Sequence, residues 1–82
     1  MEKEKTLNIT KKIGMTTHEI SLYKNKEGLI SGDYIAYGEW FVLETTKTEL
    51  KKTLKEYNIP GEILEYCVNE NNWEEVKYYE GI

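Results

Sequence analysis

Few side chains in this sequence are of a type that does chemistry, and their spacing limits what each can do. His18, the one histidine, stands in "TTHEI" beside Glu19. In a strand, adjacent side chains point to opposite faces. The two would then not converge into an acid–base pair, which needs hydrogen-bond reach. His18 therefore reads as an ordinary sheet or surface histidine, and no H-E-x-x-H zinc motif is present. Cys67, the one cysteine, lies near Ile63 and Leu64 on the apolar side of a helical pattern. It reads as a buried, inert thiol rather than a nucleophile. A single cysteine makes no internal disulfide and no cysteine zinc site. "GLISGDYIAYG" carries three glycines, but neither a G-x-G-x-x-G nor a Walker A loop. Asp33 and Glu39 flank "YIAYG" and could bring two carboxylates together for acid–base or metal work, although exposed loop carboxylates are common. The expectation is a protein that is not an enzyme and that uses no metal or cofactor.

Binding chemistry is better represented. Seven tyrosines and two tryptophans occur in 82 residues, and such residues suit both sheets and interfaces. "SGDYIAYGEWFVLETT" places Tyr34, Tyr37, Trp40 and Phe41 within eight positions. Strand alternation sends about half of them to a core, and Tyr34 and Tyr37 are the candidates for a secondary aromatic surface. Charge is divided along the chain. Residues 1–55 hold ten lysines and eight acids, whereas 56–82 hold seven acids and only Lys77. Glu62, Glu65, Glu70, Glu74 and Glu75, with Trp73, Tyr78 and Tyr79, therefore form a candidate acidic surface for a basic partner. The lysines at 47, 51, 52 and 55 read as a solvated helix stripe. There is no arginine, the residue best suited to reading bases and phosphates. Direct nucleic-acid binding is not expected.

These residues need elements to hold them. Leu7, Ile9 and Ile13 alternate with polar residues, and so do Ile20 and Leu22, which is a half-buried strand pattern. "KNKEG" is a turn signal, with Gly28 suited to positive φ. A third strand starts near Leu29, "SGD" is a candidate bulge, and Trp40 to Glu44 continues the sheet. Thr46 and Glu49 form a capping box ahead of Leu50, Leu54 and Tyr57 at helical spacing. Asn58 fits a C-cap, and Pro60 fits the first turn of a second helix carrying Ile63, Leu64, Cys67 and Val68. Trp73, Val76 and Tyr79 suggest a last helix, with a strand through "VKYY" as the alternative. The expected fold is α+β: a small antiparallel sheet of three to four N-terminal strands within 5–44, with two to three C-terminal helices, near 47–57 and 60–69, packed on one face. The expected core is Leu22, Ile35, Val42, Leu43, Leu50, Leu54, Ile63, Leu64 and Val68.

At this length one domain spans 1–82, with 1–4 as a flexible N-terminus. A core this small is marginal unless well filled or covered in a homo-oligomer. The longest apolar run, Trp40 to Leu43, is too short to cross a membrane. The charged "MEKEK" is followed by no apolar stretch, so no secretory signal is read and a cytoplasmic location is expected. The general profile (short, acidic, tyrosine-rich, without a catalytic constellation) resembles that of many small phage and mobile-element proteins that inhibit host nucleic-acid or defence machinery. The function expected is a non-enzymatic interaction protein that binds and inhibits or regulates a larger, basic-surfaced protein. The alternative is a small-ligand (nucleotide-type) binding or sequestering protein, with a pocket of tyrosines and lysines across an oligomer interface.

Overall fold

The computed structural model describes residues 3–77. Four long strands, β1 (Lys5–Ile13), β2 (Thr16–Lys24), β3 (Leu29–Ala36) and β4 (Glu39–Thr46), precede α1 (Leu50–Glu56) and α2 (Gly61–Val68). A 3₁₀ turn (Glu70–Asn72) then leads to a two-residue strand, β5 (Glu74–Glu75). The fold is α+β, and its sheet is antiparallel in the order β4-β3-β2-β1-β5.

Tight turns set the register. Ile13 pairs with Thr16, leaving Gly14 and Met15 as a two-residue loop, and Gly14 has φ 62°. Ala36 pairs with Glu39 around Tyr37 and Gly38, with φ 56° and 73°. Two positive φ values in a two-residue loop define a type I′ turn, whose twist matches that of paired strands. Between β2 and β3, the Asn25 side chain accepts from the Glu27 and Leu29 N–H groups, 2.9 Å each. Gly28, with φ 86°, completes that loop.

Strand alternation divides the sheet into two faces. Leu7, Ile20, Leu22, Ile30, Tyr34, Ala36 and Leu43 share one parity and are buried. They form a single cluster with Leu50 and Leu54 of α1, Ile59 of the connection, and Ile63, Leu64 and Cys67 of α2. We call this the core face and the opposite one the outer face. Further links tie the helices to the sheet: Thr45 and Thr53 share a hydroxyl hydrogen bond of 2.7 Å, and the Tyr57 hydroxyl donates to the Val42 carbonyl at 3.2 Å.

The helix ends follow their sequence signals in part: Glu49 rather than Thr46 is the N-cap of α1, and Pro60 is the N-cap of α2 rather than a residue of its first turn. Thr46 Oγ1 accepts the Glu49 N–H at 3.2 Å, which is one half of the expected capping box, and α1 begins one residue later. Asn58, at φ 57°, ends α1. The Asn58 N–H reaches the Lys55 carbonyl and the Ile59 N–H reaches the Leu54 carbonyl. That pair of bonds is a Schellman motif, and its apolar contact is made by buried Ile59 and Leu54.

Several expectations are corrected. The sheet has five strands, and Glu74–Glu75, within the stretch expected to be a last helix, forms the short strand β5. β5 pairs with β1 through Thr6 and Lys5, and the Val76 N–H reaches the Glu4 carbonyl at 3.0 Å. "SGD" makes no bulge, because Ser31, Gly32 and Asp33 pair in unbroken register with both neighbours. Gly32 has a different role: a Cβ there would lie 1.9 Å from the Ser21 carbonyl oxygen. Ile35 and Val42 are exposed, and Val68 is only half-buried. β3 and β4 carry apolar residues at both parities, so alternation alone does not choose which set faces the core. Of the four clustered aromatics, Tyr34 is buried and Phe41 half-buried, whereas Tyr37 and Trp40 are exposed.

Candidate functional site

Two surfaces collect side chains able to bind something. The first is the outer face of the sheet. Trp40 sits directly across from Ile35, and Val42 across from Asp33. Trp40 is 68% exposed, Val42 63% and Ile35 42%, and Leu29 is exposed at the other end of β3. Around them on the same parity stand Glu19, Asp33 and Glu44, with Glu74 at the β5 end. Lys12 is the one lysine at an outer position of the described strands. Tyr23 belongs to this face too, and its hydroxyl donates to the Glu4 carboxylate.

The second surface is a cleft at the rim of the core face, where β1 and β2 meet the start of α1 and the end of α2. It encloses about 200 Å³, floored by Ile30, Leu50, Cys67, Val68 and Trp73 and edged by Lys5, Lys24, Lys47 and Lys51. An adjoining hollow of about 200 Å³ shares Lys5, Lys24, Lys47 and Glu70 and adds Lys3 and Glu75. Lys5 and Lys24 lie directly opposite in the β1–β2 ladder, a placement that is unfavourable for like charges. Lys24 is almost fully buried, with its ammonium 5.8 Å from the centre of the Trp73 ring. Glu70 is hydrogen-bonded to Lys47, which, with lesser contributions from Lys24 and Lys5, holds its carboxyl below the usual glutamate value.

Three acids of the anticipated acidic surface are ion-paired. Glu62 pairs with Lys11 at 2.9 Å, Glu75 with Lys3 at 3.2 Å, and Glu70 with Lys47. Glu65 and Glu74 are exposed. Trp73 is not a contact residue of that surface: it is buried, and its indole N–H donates to the Cys67 carbonyl at 2.8 Å. Its burial follows from the turn that brings the chain back to β1. Tyr78 and Tyr79 lie outside the described residues. Tyr34 is likewise removed from the aromatic surface. Its hydroxyl bonds His18 Nδ1 at 2.8 Å inside the core, and burial followed by the nearby Tyr37 raises its pKa. Tyr37 is exposed in its turn, edge-on to the His18 ring at 5.4 Å between centroids.

The candidate chemistry separates as well. Asp33 occupies the outer face, while Glu39 shares the core-face parity of its partner Ala36. The two carboxylates cannot converge. Cys67 is fully buried, and desolvation pushes its thiol up to about 12. Among the described residues no group of three His, Cys, Asp or Glu side chains could hold a metal ion, and no helix is long and apolar enough to cross a membrane.

The residues that sequence reading passed over are Glu19, Ile35, Trp40, Val42 and Glu44 as a surface, and Lys5 and Lys24 as a pair. The signal that could have found them is charge counted by strand parity instead of by chain position. Comparisons with protein-family models, with curated proteins and with solved structures returned no match.

Proposed function

We propose that the protein is a small non-enzymatic interaction module whose outer sheet face docks on a basic surface of a larger protein and so inhibits or regulates it. The observation that carries this reading is the exposed Trp40–Ile35–Val42 patch with Glu19, Asp33 and Glu44 around it. A contiguous exposed apolar patch rimmed by polar residues is the usual mark of an interaction site. Aromatic anchors at its centre supply most of the binding energy, and rim charges set partner choice and association rate. The acids select a lysine- or arginine-rich partner and disfavour a second copy of the same face. Helices gathered on the other side would leave this one free to dock.

Proteins that handle nucleic acid present such basic surfaces, so the partner class that fits is host nucleic-acid or defence machinery, with the protein acting in the cytoplasm as a phage or mobile-element antagonist. The proposed surface replaces most of the C-terminal acidic set and retains Glu74. The test compares retention of basic proteins from a host lysate by the native chain, by Trp40→Ala and by Glu19→Lys with Glu44→Lys. A partner bound by the native chain and weakened by about 2 kcal/mol or more in Trp40→Ala is the expected result. Equal retention by all three folded proteins would overturn the assignment. A bare oligonucleotide should stay unbound near physiological salt, about 0.15 M.

A further inference from the structure

The lysine-edged cleft is not used by outer-face docking, and its composition runs against that of the chain. The protein carries net charge -4, yet the cleft and its adjoining hollow gather Lys3, Lys5, Lys24, Lys47 and Lys51 against Glu70 and Glu75. Two features concentrate positive charge in the cleft. Lys5 and Lys24 face each other across a ladder pair, where like charges destabilise a sheet. Lys24 is a largely buried residue that lines both hollows and sets its ammonium 5.8 Å from the centre of the Trp73 ring. Like-charge strain of this kind is commonly kept where it prepares a site for a ligand.

The shape of the cleft narrows the ligand. A cationic edge calls for an anion, and lysine ammoniums hold phosphates as point charges. The floor is apolar, with Ile30, Leu50 and the Trp73 ring lining it, and such floors take the flat or apolar part of a small molecule while a few polar groups orient it. We propose that this cleft binds an organic anion of the nucleoside-phosphate class, its phosphates held between Lys5, Lys24 and Lys47 and its flat ring system resting on the floor beside Trp73. Glu70, drawn toward Lys47 in the described structure, occupies part of the phosphate position and swings aside when ligand enters. The site lies within one chain and uses no tyrosine, unlike a pocket shared across an oligomer.

Calorimetric titration of the full chain with ADP, pyrophosphate and adenosine tests this. ADP should bind with a Kd below about 1 mM, and pyrophosphate and adenosine should each bind at least about tenfold more weakly. In Trp40→Phe, Trp73 is the sole tryptophan, and its emission should change saturably with ADP. Lys24→Met, which keeps the apolar stem and removes the charge, should weaken ADP at least about tenfold without lowering the unfolding midpoint. Lys5→Gln tests the same site should Lys24→Met lose its fold. No saturable ADP binding below about 1 mM, equal affinity for pyrophosphate and ADP, an unresponsive Trp73, or undiminished affinity in the folded lysine variants would each overturn the proposal.

Discussion

The two faces of the sheet are built from the same strands and carry opposite charge. Outer positions present Glu19, Asp33, Glu44 and Glu74 with Lys12, whereas core-face positions present Lys5, Lys11 and Lys24 with Glu39 and Glu75. Along the chain this segment is close to neutral, and strand parity divides it. The C-terminal third behaves in the opposite way. It is strongly acidic along the chain, and the fold brings lysines from the first half onto Glu62, Glu70 and Glu75. A charge run in sequence becomes a charged surface only if packing leaves it unopposed. Alternating neutral strands can form one when period two sorts the signs.

The largest test of this comparison is energetic. Leu54 lies at the centre of the core cluster with no exposed surface, so Leu54→Ala should cost about 2–5 kcal/mol, the range for deleting a buried leucine side chain. Trp40→Ala, a larger truncation on the outer face, should change stability by no more than about 0.5 kcal/mol. Chemical denaturation of both variants decides it. A Trp40→Ala loss matching that of Leu54→Ala would mean that the outer face is a second core and no contact surface.

Gly32→Ala probes the sheet itself. The added Cβ would meet the Ser21 carbonyl at 1.9 Å, and a main-chain atom cannot step aside as a side chain does. A loss of about 3 kcal/mol, at the upper end for overpacking, is expected in denaturant melts. The strand pairs β2–β3 and β3–β4 should loosen first, visible as faster amide exchange there. An unchanged midpoint would show that the centre of the sheet has more room than its register implies.

Much of this architecture was legible in the sequence, and the misses have physical causes. Alternation at Leu7, Ile9, Ile20 and Leu22 located β1 and β2, and Asn58 and Pro60 located the boundary between the helices. Those signals are local: a period, a cap, a fixed φ. Ile35 and Val42 were misassigned because β3 and β4 are apolar at both parities, and only tertiary packing decides which parity is buried. Trp73 and β5 were misread because their partners, the Cys67 carbonyl and the β1 edge, are set by tertiary contact. The outer-face acids were passed over for the same reason. Summing charge by chain position hides what parity separates.

A smaller effect, confined to the core face, appears in alkali. The Cys67 thiol ionises near 9.0 in its ordinary state but only at about 12 when buried in the fold. Above pH 9.0 the unfolded chain loses this proton while the native one keeps it, so stability falls as pH rises toward about 12. Tyr34, whose pKa is also raised above its ordinary 10.0, acts in the same direction. The unfolding midpoint should decline through this window, and Cys67→Ala should show a shallower decline. The same burial predicts slow labelling of the native thiol and fast labelling once unfolded. Rapid native labelling, or identical pH profiles for both proteins, would place Cys67 within reach of solvent.

The smallest change in stability should accompany the sharpest difference between regions. Glu19→Lys with Glu44→Lys reverses two exposed outer-face charges, and Glu62→Lys with Glu65→Lys reverses two on α2. Neither pair is buried, so each should shift stability by no more than about 1 kcal/mol, even with the Lys11–Glu62 ion pair lost, since exposed pairs contribute little. Association rates should separate them. Charges near the docking face steer a basic partner during its approach, and steering fades as salt shortens the Debye length to about 8 Å at physiological ionic strength. The outer-face pair should therefore slow association most at low salt, with a small change in dissociation. The α2 pair should leave the rate near native, because Glu62 is already opposed by Lys11. Stopped-flow association with the captured partner at two salt concentrations measures this directly. Equal slowing by both pairs would return the binding role to the acidic C-terminal third, and slowing by the α2 pair alone would remove the outer face from the contact.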